Sequence, residues 1–233
     1  MIELKNLEKT YSSNEGMLTV IDIPFYSVDE GSQIALVGPS GSGKTTLLNL
    51  ISGLVNPTKG EVTVDGTRVD LLNEAEKDQF RSKTIGYVFQ NFNLVNSLTA
   101  MENVMLPMMF RGKRSRKQQQ ERAEELLEKV HLSHRIRHKP SKLSKGEQQR
   151  VAIARALANE AKIILADEPT GNIDFTTGMK IFSLLRQLCI DEKITLVMVT
   201  HSDEYISQFS KVVDIRDINR AVALGKEAAQ WES

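Results

Sequence analysis

The sequence predicts an α/β fold built on a mainly parallel central sheet, and three observations carry that prediction. Short β-rich runs recur along the chain, several of them almost continuously apolar, as expected of strands covered on both faces. Helical patterns alternate with these runs, which is the signature of crossover connections. A glycine-rich loop also joins one apolar run directly to a helix, the usual place for a phosphate-binding turn.

Taken in order, Ile2–Leu4 reads as the first strand and Gln33–Val37 as the second. Lys44–Gly53 follows the glycine-rich loop as a helix. Glu61–Val64 and Ile85–Phe89 read as strands. From about Asn91 to Asn159 the alternation stops. Helices are expected at Gln118–Val130 and Val151–Asn159, with no convincing strand between them, so this stretch reads as a helical insertion. Strands return at Ile163–Ala166, Thr195–Thr200 and Val212–Ile215, with a helix at Gly178–Cys189. The expected organisation is one domain over residues 1–233. Its catalytic lobe takes about 1–90 and 160–220, its helical lobe about 91–159, and a tail covers 221–233, where Trp231 could dock on the body.

Composition narrows the function classes. Thirty basic and 30 acidic residues balance, which argues against a broad nucleic-acid-binding face. The single cysteine, Cys189, falls in an apolar helical stretch and is expected to be a buried structural thiol. No stretch approaches the ~18 apolar residues of a membrane span, and the N-terminus lacks an apolar signal segment. A cytoplasmic protein is expected, reaching a membrane only through a partner. The basic run Arg111–Lys117 reads either as a solvated loop or as a patch facing anionic lipid.

Chemistry concentrates in a few places. Gly38, Pro39, Ser40, Gly41, Ser42, Gly43, Lys44 and Thr45 match G-x-x-x-x-G-K-[ST] in full, between an expected strand and helix. The glycines let backbone N–H groups close around a β-phosphate, and Lys44 sets a charge against the β- and γ-phosphates. Thr45 offers a hydroxyl to Mg²⁺, and Thr46 can add a contact to the α-phosphate. This loop alone implies nucleoside triphosphate binding. Ile163–Ala166 then delivers Asp167 and Glu168 at a strand end, where α/β sheets hold ligands. Asp167 suits Mg²⁺, and Glu168 suits a general base for an attacking water. Gln90 ends one strand and can touch both metal and water; His201 ends another and can reach a γ-phosphate. Tyr11 reads either as an adenine-stacking ring or as a core-edge tyrosine. Leu143–Arg150 opens a helix, with Ser144 and Glu147 spaced as a capping box, so its N-terminus suits an anion. His131, His134 and His138 sit three and four apart, but no cysteine or carboxylate pattern completes a metal site around them.

These pieces, in this order, resemble the ATP-binding cassette family from about Ile2 to Asp217. The resemblance implies the family fold: a P-loop NTPase with a mainly parallel central sheet, an antiparallel β portion and a signature-bearing helical insertion. It implies an ATPase using ATP and Mg²⁺, with Thr45, Gln90 and Asp167 around the metal. It also implies a head-to-tail homodimer in which Ser144, Lys145, Gly146 and Glu147 meet the partner's γ-phosphate. Asn172 and Asp174 cross the interface, Glu168 activates water and His201 holds the γ-phosphate. Runs such as Phe89–Leu94 and Leu165–Asn172 are similar to the bacterial group of lipoprotein-release, macrolide-export and FtsE ATPases. That similarity implies an integral membrane permease partner and a peripheral place on the inner membrane face. A soluble cassette ATPase without transport, or a nucleotide-gated regulator of envelope enzymes, is the alternative. On the same basis, the segment after Gln90 would dock the membrane subunit through Phe92, Leu94, Val95, Leu98, Met105, Leu106, Met108 and Met109, unless these form an ordinary lobe core. One departure stands out. The family usually has Leu-Ser-Gly-Gly, and here Lys145 replaces the first glycine. Lysine tolerates positive φ poorly, so position 145 is expected to be helical or extended, its ammonium facing either solvent or the partner's nucleotide.

Overall fold

The computed structural model describes residues 1–13, 16–112 and 114–222. Lys113 and the tail from residue 223, including Trp231, lie outside them. The chain opens with strands β1 (Ile2–Ser13), β2 (Gly16–Val28) and β3 (Gln33–Val37), then helix α1 (Lys44–Ile51). Strands β4 (Lys59–Val64) and β5 (Thr67–Arg68), helix α2 (Glu74–Thr84) and strand β6 (Ile85–Val88) follow. Three helices come next: α3 (Ala100–Arg111), α4 (Arg116–Lys129) and α5 (Lys145–Leu157). The chain continues as β7 (Ile163–Asp167), α6 (Phe175–Asp191), β8 (Thr195–Val199), α7 (Asp203–Ile206), β9 (Lys211–Asp214) and α8 (Ile215–Ile218). Contacts divide it into two compact units, Met1–Lys77 with the chain from Val199, and Asp78–Met198.

In the first unit, β2-β1-β4-β5 form an antiparallel sheet. The first strand is far longer than the Ile2–Leu4 expected, and β2 has no counterpart among the expected strands. The two form one hairpin whose register runs from Ile2↔Val28 to Ser13↔Gly16, with a bulge between Lys9 and Thr10. The polar residues of β1 had hidden it: Glu3, Lys5, Glu8 and Lys9 alternate with the buried Leu4 and Leu7 on a half-solvated sheet. Gly60 on β4 lies so close to β1 that an added Cβ would sit 2.1 Å from the Asn6 carbonyl oxygen. The unit also holds a parallel pair, β3 with β9, in register from Ile34↔Lys211 to Val37↔Asp214.

The second unit orders its parallel strands β6-β7-β8. It contains the whole expected helical lobe, 91–159, as well as these strands. Its central helix, α5, begins at Lys145 rather than Val151, because the capping box already starts the helix there. Val151, Ala152, Ile153, Ala154 and Leu157 are all buried, so α5 is covered nearly all round. Each large apolar side chain contributes about 1.5–3 kcal/mol of burial. Gly86 lets β6 approach α5, since a Cβ there would stand 2.4 Å from the Ala156 carbonyl oxygen. Cys189 is buried on α6, and burial first, then the Glu192 carboxylate, pushes its thiol up to about 12. Among the described residues, no helix is long and apolar enough to cross a membrane.

Candidate active site

The expected site residues fall on both units. The phosphate loop, Tyr11 and His201 belong to the first; Gln90, Asp167, Glu168, the signature segment, Asn172 and Asp174 belong to the second.

In the first unit the loop leaves β3 and turns into α1 at Gly43, whose φ of 92° and ψ of 9° are left-handed. No side chain caps α1, so its leading N–H groups are left to the loop interior and to a ligand. Lys44 is buried to 6% exposure. Its Nζ donates to the Gly38 and Pro39 carbonyls at 2.9 and 2.7 Å. The Ser42 hydroxyl donates to the Pro39 carbonyl at 2.7 Å. The loop is therefore folded around its own cation. Thr45, one position on, is exposed. At the end of β9, Asp214 is held below the usual carboxylate range by its bond to the Arg216 guanidinium, with a smaller contribution from Lys44. Tyr11 stands on β1 across from Leu18, 39% exposed, its ring 4.9 Å from Lys9 Nζ. It is a surface ring rather than a core edge. His201 is exposed just past β8.

In the second unit, β7 ends at Asp167, and Glu168 takes a left-handed φ of 45° where the chain turns. A non-glycine residue held there costs about 1 kcal/mol or more, so the turn is imposed by its surroundings. The Glu168 carbonyl accepts the Gly171 N–H at 3.0 Å, and the Pro169 carbonyl accepts Gln149 Nε2 at 2.5 Å. Gly171 is packed under Gln90: a Cβ there would lie 2.8 Å from Gln90 Nε2. Asn172 Nδ2 donates to the Gln90 carbonyl at 3.1 Å and to Asn91 Oδ1 at 2.8 Å. The turn after Glu168 and the segment after Gln90 are thus one hydrogen-bonded assembly, a link that spacing 80 residues apart in sequence does not announce.

Two further residues hold that segment, and sequence reasoning missed both. Arg155 donates to the Phe92 carbonyl at 2.7 Å and to the Asn93 carbonyl; both of those residues have positive φ. An arginine inside the otherwise apolar run Val151–Ala158 was the available signal. Asn103, fully buried, donates to the Val95, Leu98 and Thr99 carbonyls and accepts the Val95 N–H at 2.8 Å.

The segment's apolar residues split between the two readings. Met105 and Met108 are core, while Val95 and Met109 are exposed at 40% and 60%. Phe110, absent from the expected set, is exposed at 81%. It borders a groove of about 610 Å³ lined also by Tyr87, Phe89, Leu106, Pro107 and Arg155. The basic run is neither a free loop nor a free patch in full. Arg111 donates to the Asn159 carbonyl at 2.6 Å, and Arg114 reaches the Ala158 carbonyl and Glu160, so both arginines finish the C-terminus of α5.

At the signature, Ser144 caps α5 with an extended backbone. Its Oγ accepts the Glu147 N–H at 3.2 Å, and Glu147 Oε2 accepts the Ser144 N–H at 2.8 Å. Burial raises the Glu147 carboxyl, and the Ser144 N–H, the Ser144 hydroxyl and the Arg135 guanidinium outweigh it, holding the group below its usual range. Lys145 is helical, one of the two conformations expected of it. Gly146 is buried, and a Cβ there would stand 2.7 Å from Thr177 Cγ2. Asp174 caps α6; the Thr177 N–H, at 3.0 Å from Oδ1, lowers its carboxyl.

Comparison with known proteins converges on one family. Residues 24–171 match the family profile described as ABC transporter. The uncharacterized ABC transporter ATP-binding protein MJ1508 of Methanocaldococcus jannaschii is 48% identical over 218 residues, which cover 93% of this chain and 96% of that protein. The lipoprotein-releasing system ATP-binding protein LolD of Syntrophus aciditrophicus is 43% identical over 219 residues, 93% of this chain and 97% of its own. Among solved structures, the dimeric post-hydrolysis state of the cassette MJ0796 bound to ADP and Pi superposes with a TM-score of 0.84 at 43% identity. It covers 92% of this chain and 94% of that one.

Proposed function

Since the chain belongs to the ABC transporter family, as an ATP-binding, ATP-hydrolysing subunit of the P-loop α/β fold, we propose that it works as a homodimer driving an integral membrane permease. The observation that carries this reading is the coexistence of an uncapped α1, closed around Lys44, with a self-capped α5 whose Ser144 and Lys145 are exposed. One chain has a phosphate cradle and a second, separate anion-ready helix terminus. Pairing two chains head to tail gives each ATP both. The Ser144 hydroxyl accepts from its own helix, and its hydrogen can turn from the Glu147 carboxylate to a partner's γ-phosphate. Gly146 lets α5 sit close to α6 at that point.

On this reading the loop N–H groups from Gly41 to Thr46 hold the phosphates, Lys44 shifts its Nζ from the loop carbonyls to the β- and γ-oxygens, and Tyr11 stacks on adenine. Thr45, Asp167 and the Gln90 amide are all oxygen donors and fit Mg²⁺, which when bound spreads the phosphate charge. Glu168 accepts the proton of the attacking water, His201 steadies the γ-phosphate, and Asn172 with Asp174 lies at the dimer seam. The helical lobe, about 91–159, acts as the arm that moves. Its groove beside Phe110, with Met109 and Val95, receives an apolar helix of the permease, which brings this subunit to the inner membrane face. LolD of Syntrophus aciditrophicus is named for lipoprotein release, and work on an envelope substrate of that class is the transport reading we favour.

The test is Glu168→Gln. The variant binds ATP, loses turnover, and runs as a dimer on size exclusion with saturating Mg-ATP. A variant that stays monomeric under those conditions overturns the head-to-tail pairing.

A further inference from the structure

We propose that Asn219 is a positioning residue for the phosphate loop: it fixes the peptide between Ser42 and Gly43, and through it the N–H that the loop presents to a nucleotide phosphate. This rests on the reading of that loop as the ATP site. Asn219 lies just beyond α8, 177 residues from Ser42 in sequence, and is 1% exposed. Its side-chain amide makes four bonds. Nδ2 donates to the Val20 carbonyl at 2.9 Å and to the Ser42 carbonyl at 3.3 Å. Oδ1 accepts the Asp22 N–H at 2.8 Å and the Ala221 N–H at 3.2 Å. Two donors and two acceptor sites are all that the amide has, so it is fully used.

The consequence follows from peptide geometry. In a planar trans peptide the C=O and the next N–H point in opposite directions. Drawing the Ser42 carbonyl toward Asn219 therefore aims the Gly43 N–H away from it. The carbonyl end of that peptide is clamped to β2, because the same Nδ2 holds Val20. Gly43 is seated on the same strand: a Cβ there would meet Ile21 Cδ1 at 2.9 Å and the Val20 carbonyl oxygen at 3.0 Å. The other end of the loop is backed by the same C-terminal turn, since a Cβ on Gly38 would lie 2.5 Å from Ile215 Cγ2. α8 and the residue after it thus support both ends of the loop, and Asn219 needs no contact with the nucleotide.

The experiment compares Asn219→Asp with wild type by calorimetric titration of ADP, steady-state ATP turnover and thermal melting. Aspartate keeps the size but turns a carboxylate toward two carbonyl oxygens. ADP affinity is expected to fall about tenfold, the worth of one good hydrogen bond, with KM rising more than kcat falls. Ile23→Val, a core change in the same unit, is the control; it lowers the melting temperature and leaves ADP affinity within twofold. If Asn219→Asp melts earlier but binds ADP within twofold of wild type, Asn219 is only a structural tie and the proposal fails. If wild type itself binds no ADP, the ATP-site reading fails first. Should the variant not fold, NMR on the wild-type chain decides. The Asn219 side-chain amide protons shift and exchange more slowly at saturating ADP, and unchanged signals overturn the proposal.

Discussion

Two helix N-termini in this chain are suited to phosphate, and they are finished in opposite ways. α1 follows a left-handed glycine with no side-chain cap, and the cation beside it is wrapped in loop carbonyls. α5 carries a complete capping box in which its own serine and glutamate satisfy each other's backbone donors. On the head-to-tail reading proposed above, the difference matches how each terminus would meet phosphate. A cradle built into the chain's own loop can leave donors for the nucleotide. A terminus that would meet phosphate only when a second molecule arrives must be stable without one, and a side-chain cap supplies about 0.5–2 kcal/mol of that stability. Self-capping and an exposed hydroxyl solve that problem together.

The comparison breaks most sharply at Lys44. Lys44→Ala removes the charge that α1 uses in place of a cap, and the Gly38 and Pro39 carbonyls lose their donor. ATP turnover is expected to fall by about 100-fold or more, roughly 3 kcal/mol of charge-assisted bonding. Phosphate-release kinetics check it. Turnover within tenfold of wild type would mean that the loop backbone, not the lysine, carries the phosphate charge.

How much of this was legible in sequence depends on what each feature is made of. The phosphate loop, the Asp167–Glu168 strand end and the capping box are local: their residues act within one turn of each other, so spacing reveals them. The hairpin β1–β2 is hard to read because its buried residues alternate with charges on a half-solvated sheet and form no continuous apolar run. The grip of Asn172 on the Gln90 segment and of Arg155 on the Phe92 and Asn93 carbonyls joins residues 60 to 80 positions apart. Side-chain-to-backbone bonds of that range leave no periodicity. The split of the Met-rich stretch into buried Met105 and Met108 and exposed Met109 and Phe110 follows from which face of α3 packs. That face was visible only once α4 and α5 were in place.

A smaller effect is expected at the cap. Glu147→Gln keeps the acceptor geometry but loses the carboxylate that bonds Ser144 N–H and Arg135. The folded-state pKa lies below the unfolded value near 4.5, so the carboxylate's contribution is present at neutral pH and is lost as pH falls through the folded pKa. At pH 7 the variant should be about 1 kcal/mol less stable in urea unfolding, and the gap should close as pH falls through the lowered folded pKa. A gap that does not change with pH would place the cap's worth in the hydrogen-bond geometry alone. Turnover should respond far less than to Lys44→Ala.

The smallest effect is expected at Lys145, and the balance there is close. Lys145 occupies the first position of α5, exposed, and among the described residues its ammonium has no hydrogen-bond or ion-pair partner. Its φ is not positive, so the backbone does not ask for the glycine usual in the family. A cation at a helix N-terminus opposes the dipole by about 0.3–1 kcal/mol, and glycine in a helix costs about the same through chain entropy. Lys145→Gly should therefore leave stability within about 0.5 kcal/mol, because the two terms oppose each other. The lysine earns no place through the fold, so the dimer is where any role must show. Turnover and ATP-dependent dimer affinity within twofold of wild type would make it a solvent-facing neighbour of Ser144 and Gly146. A fivefold loss of dimer affinity at low salt that vanishes at high salt would instead set its charge against an anionic group across the dimer seam, since exposed ion pairs are screened by salt.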